Sequence, residues 1–157
     1  MSGMKDISVR FARAGDREQL ARMRAALWPE SSAEEHSEEL ALILAGKPPT
    51  MLPLVVLVAE AADGTLAGFL EVGLRSHADG CNEAHAVGYV EGWYVAESYR
   101  RRGIGAELLR AAEDWAREQG CAEMASDAQI ENEVSQRAHE ALGFEIASRS
   151  VNYRKTL

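Results

Sequence analysis

Between an apolar run, Tyr89–Val95, and a run with helical character, Ile104–Gly120, the chain reads Val95-Ala-Glu-Ser-Tyr-Arg-Arg-Arg-Gly-Ile-Gly-Ala106. The order is a strand, a glycine-punctuated loop and a helix. In Arg100-x-x-Gly103-x-Gly105 the glycines lack a Cβ, so backbone can come close to a ligand, and the free N–H groups that open the following helix point at an anion. That is chemistry suited to the phosphates of a nucleotide. The spacing is not G-x-G-x-x-G and no G-x-x-x-x-G-K-[ST] occurs, which removes the main support for a dinucleotide or nucleoside-triphosphate site.

The rest of the chain predicts the scaffold around that loop. Ile7, Val9 and Phe11 alternate with polar residues as in a half-buried strand, and Leu20, Met23 and Leu27 recur at helical spacing. Ser32-x-x-Glu35 has the form of a capping box for a second helix through Leu40 and Leu44, ended by Gly46 and Pro48-Pro49. Leu54–Ala59 and Leu66–Leu74 are strand-like runs joined through Asp63-Gly64, a hairpin signal. A polar loop at 76–85 leads into Val87–Val95. After the long helix come a strand at Cys121–Ala125, a helix at Glu133–Leu142 and a closing hairpin over Phe144–Arg154. No repeat or linker interrupts the sequence, so residues 1–157 are expected to form one α+β domain.

Composition narrows the function classes. A chain of 157 residues with 46% hydrophobic content suits one core. No apolar run approaches 18 residues and no signal peptide opens the chain, so no membrane partner and a cytoplasmic location are expected. Cys81 and Cys121 lack C-x-x-C spacing and are expected as free thiols. The net charge is −8, and residues 28–91 carry eleven acidic side chains against Lys47 and Arg75. Such a field disfavours nucleic acid and attracts polycations. His77, Cys81 and His85 are four apart, yet Gly80 and polar neighbours indicate a loop, so no metal site is expected.

The phosphate loop, the strand and helix after it, and His139-Glu-Ala-Leu-Gly-Phe144 together resemble the GNAT N-acetyltransferases over residues 86–154. Leu27-Trp28-Pro29, Gly68-Phe69, Gly80-Cys81, Val90-Glu91-Gly92-Trp93-Tyr94-Val95 and Met124-Ala-Ser-Asp127 resemble their aminoglycoside 6′-N-acetyltransferase branch. The resemblance implies a mixed, mostly antiparallel sheet flanked by helices, with strands 4 and 5 parallel and splayed for acetyl-CoA. It implies acetyl transfer to the 6′-amine of an aminoglycoside by direct attack in a ternary complex, antibiotic resistance as the outcome, and a homodimer. Two positions depart from the pattern: His139 stands where relatives have tyrosine, and Ser76-His77-Ala78-Asp79-Gly80 lacks a tyrosine expected in the acceptor site.

Carried over residue by residue, the resemblance assigns the oxyanion donor to the backbone N–H of Val95, with Tyr94 beside it along the pantetheine arm. Arg100, Arg101, Arg102, Gly103, Ile104, Gly105 and Ala106 would hold the pyrophosphate, and Asn132 and His139 would also contact the cofactor. Asp127 and Glu91 are alternative proton acceptors for the amine, and His139 is a candidate acid toward the thiolate. Trp28, Glu71, His77, Asp79, Glu91 and Asp127 are the expected acceptor contacts. The sequence also allows a structural Glu91–Arg75 ion pair, an Asp127 helix cap and a core position for Trp28; Trp115 is expected in the core. Two rival functions fit the same residues: acetylation of another polyamine or a protein amine, and a non-catalytic acetyl-CoA sensor.

Overall fold

The computed structural model describes residues 6–157. Alternating and apolar runs in the first half form a meander: β1 (Ile7–Phe11), β2 (Leu54–Ala61), β3 (Leu66–Arg75) and β4 (Val87–Val95), each antiparallel to the next. Between β1 and β2 the chain detours through α1 (Arg17–Leu27) and α2 (Ala33–Leu44). The expected cap is present, since the Glu35 N–H donates to Ser32 Oγ at 3.1 Å and the Ser32 N–H donates to Glu35 Oε1 at 3.0 Å. Asp63-Gly64 makes the β2–β3 turn, with Gly64 at φ 88°.

After β4 the helix α3 (Ile104–Glu118) crosses over to β5 (Met124–Ser126), which lies parallel to β4, and α4 (Glu133–Ala141) follows. The sheet order is β1-β2-β3-β4-β5. One sheet face packs Leu57, Leu70, Val72 and Val90 against Leu108, Ala112 and Trp115 of α3. The other packs Val58 and Phe69 against Leu20 of α1 and Leu40 of α2. Trp115 is 7% exposed, the core position expected for it.

Two irregularities position the site. First, β4 and β5 share only the pairs Gly88↔Met124, Tyr89↔Ala125 and Val90↔Ser126, although β4 continues to Val95. Beyond that last rung the two parallel strands part, as the expected splay requires. Second, Glu71 pairs with Gly92 while Val72 pairs with Val90, so Glu91 is an extra residue in β4. A bulge of this kind bends the strand and re-aims the inserted side chain.

The closing hairpin over Phe144–Arg154 does not form. Residues 143–157 hold no regular secondary structure, and Val151 and Tyr153 are 73% and 92% exposed. Their alternation suits a strand, but a strand needs a paired neighbour to satisfy its backbone, and among the described residues this segment pairs with neither edge of the sheet, β1 or β5. β5 is also shorter than the sequence suggests: Cys121 lies before it, buried at 8% exposure, and both cysteines are free.

Candidate active site

The glycine loop folds as an anion cradle. Arg101 and Gly103 take left-handed φ values of 67° and 76°, and Gly103 is the N-cap of α3. Glycine offers no side chain to cap that helix, so the first N–H groups, those of Ile104, Gly105 and Ala106, stay open to an outside acceptor. Gly103 is there for its conformation, which a β-carbon would strain. Gly105 differs: a β-carbon would meet Trp93 at 3.5 Å, an ordinary contact, so the protein itself does not demand glycine at that position. Arg101 and Arg102 are exposed beside the cradle, whereas Arg100 turns back and donates from Nε to the Val95 carbonyl at 2.8 Å.

The parting of the strands exposes the edge of β4. Ala96 N–H donates to the Ala67 carbonyl at 2.8 Å, so by the two-residue alternation of an antiparallel ladder the Val95 N–H faces away from β3. On that side β5 has already ended at Ser126. Trp93 alternates in the same sense, and its indole Nε1 donates to the Gly105 carbonyl at 3.2 Å, tying β4 to the phosphate cradle.

On the α1/α2 face of the sheet, four polar side chains converge where β4 leaves β5. Tyr89 Oη donates to Asp127 Oδ2 at 2.7 Å. Burial and the Asp127 carboxylate hold that phenol well above its ordinary range. The Arg75 guanidinium lies 3.5 Å over the Tyr89 ring and grips both Glu91 oxygens, at 2.9 and 2.8 Å. Glu91 thus forms the Arg75 ion pair that the sequence allows. Asp127 is exposed and caps no helix; α4 is capped by Asn132, whose Oδ1 accepts from the Ser135 N–H at 3.0 Å. Tyr89 was not legible as a partner of Asp127, although its place two residues before Glu91 on one strand was a signal.

Trp28 and Glu71 occupy different depths. Trp28 is half-buried, lies over the notch left by the missing Gly92 side chain, stacks on His36 and carries the Arg24 guanidinium 5.0 Å from its ring centre. Glu71, expected among the acceptor contacts, is instead 2% exposed, with Oε2 3.3 Å from Arg24 Nε. Facing α1 from the middle of β3 removes it from the surface. Burial pushes the Glu71 carboxyl up to about 7, outweighing Arg24, and the Glu39 and Glu91 carboxylates push the same way.

A cleft of about 1360 Å³ is lined by Arg75, His77, Asp79, Tyr89, Asp127 and His139, among others. Trp28, Glu91 and the phosphate cradle lie outside its lining. Asp79 is tied to the C-terminal segment through Ser148 Oγ at 2.8 Å, and His77 Nδ1 lies 3.0 Å from Ser76 Oγ. His139 sits on the opposite sheet face, edge-on to Trp93 and Phe144, with Nε2 2.8 Å from Ser126 Oγ. Among the described residues no group of three or more His, Cys, Asp or Glu side chains could hold a metal, and no helix is long and apolar enough to cross a membrane.

Residues 18–144 match the acetyltransferase (GNAT) family. The chain is 44% identical over 135 residues to an aminoglycoside N(6′)-acetyltransferase type 1 of Klebsiella aerogenes, covering 86% of this chain and 87% of the relative. Its counterpart in Serratia marcescens is 45% identical over 136 residues, covering 86% and 89%. Among solved structures, AAC(6′)-Iy in complex with the bisubstrate analogue CoA-S-monomethyl-acetylneamine superposes with a TM-score of 0.85 at 34% identity, over 96% of this chain and 99% of that one.

Gly92→Ala should push the Trp28 ring from its notch, because the new carbon would lie 2.5 Å from Cη2. Overpacking of this kind costs about 1–3 kcal/mol, which urea denaturation would measure. Glu71 supplies a second expectation. Its folded pKa of about 7 lies above the ordinary 4.5, so the folded state holds the extra proton between those values. Stability should therefore fall as pH rises through that window. Glu71→Gln should flatten this decline in denaturation curves collected across it.

Proposed function

This chain belongs to the GNAT acetyltransferases, in the branch of the aminoglycoside N(6′)-acetyltransferases, and we propose that it moves the acetyl group of acetyl-CoA onto the 6′-amine of aminoglycosides. The observation that carries the reading is the open edge of β4 beside an uncapped α3 N-terminus, with two carboxylates at the point where β4 and β5 part. The first two features fit the cosubstrate. The open N–H groups of residues 104–106 suit its pyrophosphate, Arg101 and Arg102 add charge, and the Val95 N–H on the unpaired side of β4, beyond Tyr94 whose backbone faces β3, suits a carbonyl of the amide-bearing arm. The Val95 N–H then faces the side on which negative charge grows at the thioester oxygen.

The carboxylates fit the acceptor. Asp127, exposed and oriented by Tyr89, accepts the proton of the amine directly or through one water. Glu91 contributes field and a second anchor for a polycation, although its bidentate pairing with Arg75, whose side chain is 45% exposed, has to yield before an ammonium can share it. Trp28 offers a flat ring to a sugar face with ammonium groups nearby. Transfer is direct, within a ternary complex, and antibiotic resistance is its consequence. The protein works in the cytoplasm, where acetyl-CoA is made.

Two copies act as a homodimer. Support comes from the C-terminal segment, where Ile146, Val151 and Tyr153 are exposed, and from β5, an edge strand of the sheet with its outer side free. A second copy's segment would satisfy both.

Coenzyme A release with neomycin should be rapid, and it should nearly vanish with paromomycin, which carries a hydroxyl in place of the 6′-amine. Equal release with both would move the reaction to another amine, and release with spermidine alone would make the acceptor a simple polyamine. Asp127→Asn should lower kcat by about a hundredfold while leaving the acetyl-CoA KM within twofold. For the dimer, charging the exposed segment with Val151→Asp and Tyr153→Asp should halve the mass measured by light scattering without altering the circular dichroism of the monomer fold.

A further inference from the structure

His139 has no free nitrogen with which to reach a cofactor. Nδ1 lies 2.7 Å from the Ser135 carbonyl oxygen, which can only accept, so Nδ1 carries a hydrogen. Nε2 lies 2.8 Å from Ser126 Oγ, and the ring is held edge-on by Trp93 at 5.4 Å and Phe144 at 5.1 Å. In the neutral ring Nε2 accepts the Ser126 hydroxyl hydrogen. In the cationic ring the bond reverses: Nε2–H donates to Oγ, and the serine O–H is released to point elsewhere.

Ser126 occupies a distinctive place. It is the last residue of β5, on the final rung opposite Val90 before the strands part. Its neighbour Asp127 projects to the other sheet face, where Tyr89 holds it. Two adjacent residues at one strand end therefore offer a proton acceptor on one side and a histidine-backed hydroxyl on the other. Acetyl transfer needs one of each.

We propose that the Ser126 hydroxyl, backed by His139, returns a proton to the coenzyme A sulfur as the thioester breaks; this rests on the acetyl-transfer reading above. As the carbon–sulfur bond breaks, its electron pair leaves on sulfur. The Ser126 O–H proton passes to that sulfur, and the Nε2–H proton of cationic His139 replaces it on Oγ. The products are a thiol, an intact serine and a neutral imidazole. The proton lost by the attacking amine goes to Asp127 or water, and the imidazole regains its own from solvent. Ser126 is the catalytic residue in this step and His139 a positioning residue that acts through it.

The test compares Ser126→Ala, Ser126→Thr, His139→Gln and the alanine–glutamine double variant by steady-state kinetics with acetyl-CoA and neomycin. Ser126→Ala and His139→Gln should each lower kcat about a hundredfold, the lower end for a positioned proton donor, with both KM values within twofold. The double variant should fall no further than either single one, because both act in one step, and Ser126→Thr should recover most of the rate. An unchanged kcat in Ser126→Ala, a loss confined to the acetyl-CoA KM, or multiplicative losses in the double variant would overturn the relay. Nitrogen-15 spectra collected across pH, assigned against His139→Gln, should show that the neutral form of His139 carries its hydrogen on Nδ1; a neutral form with its hydrogen on Nε2 would overturn the relay without reference to turnover. If the unaltered protein releases no coenzyme A with any amine, the acetyl-transfer reading fails and the relay with it. A normal wild-type rate beside an unaffected Ser126→Ala sinks the relay alone.

Discussion

The parting of β4 from β5 beyond the Val90↔Ser126 rung is the constraint on which the rest of the site depends. A paired β4 edge would have its Val95 N–H occupied and the strand ends closed over, leaving no entry beside the α3 cradle. The separation has a covalent counterpart in the glycine loop. Gly103 in its left-handed conformation starts α3 at once, and the Trp93 indole bonded to the Gly105 carbonyl fixes how far that helix start stands from β4. Backbone geometry thus supplies the anion site and the edge donor, and side-chain identity matters less in that half of the crevice.

The acceptor half depends instead on side chains brought together from distant parts of the chain. Tyr89 and Asp127 are 38 residues apart, and Arg75 and Glu91 are 16 apart. The bulge at Glu91 places the Glu91 carboxylate beside the Arg75 guanidinium, while Gly92 leaves the notch for Trp28. A few ångströms deeper, Arg24 and Glu71 form a charge pair in which Arg24 Nε and Nη1 and Glu71 Oε2 lack hydrogen-bond partners. Such a pair gains little against the cost of removing two charges from water. The same guanidinium lies 5.0 Å from the Trp28 ring centre, so the pair and the indole share one cation.

Local physics was legible in the sequence, and of the long-range contacts only the Arg75–Glu91 ion pair was. The Ser32–Glu35 box, the Asp63-Gly64 turn, Gly46 at φ 75° and the glycine loop each depend on residues within a few positions of one another. The parallel splay came from family likeness, since periodicity carries no information about strand order. The depth of Glu71, placed among the acceptor contacts, was not legible from its acidity, although Phe69, Leu70 and Val72 around it form an apolar run that is buried throughout. Ser126 went unnoticed beside Asp127 because its partner, His139, lies 13 residues away across a turn and a helix. The closing hairpin failed for a related reason: the pattern of Val151 and Tyr153 specifies a strand but says nothing of where a neighbour would come from.

β5 contributes only three rungs to the sheet, whereas β2, β3 and β4 are joined along nearly their full lengths. Within the sheet, a wall attached so briefly, joined to the meander by a crossover helix, is the part whose amides exchange soonest with solvent, through openings that leave the meander intact. The strand that carries Ser126 and Asp127 therefore belongs to the least protected part of the sheet. The phosphate cradle on α3, packed through Leu108 and Trp115, is anchored to the most protected one.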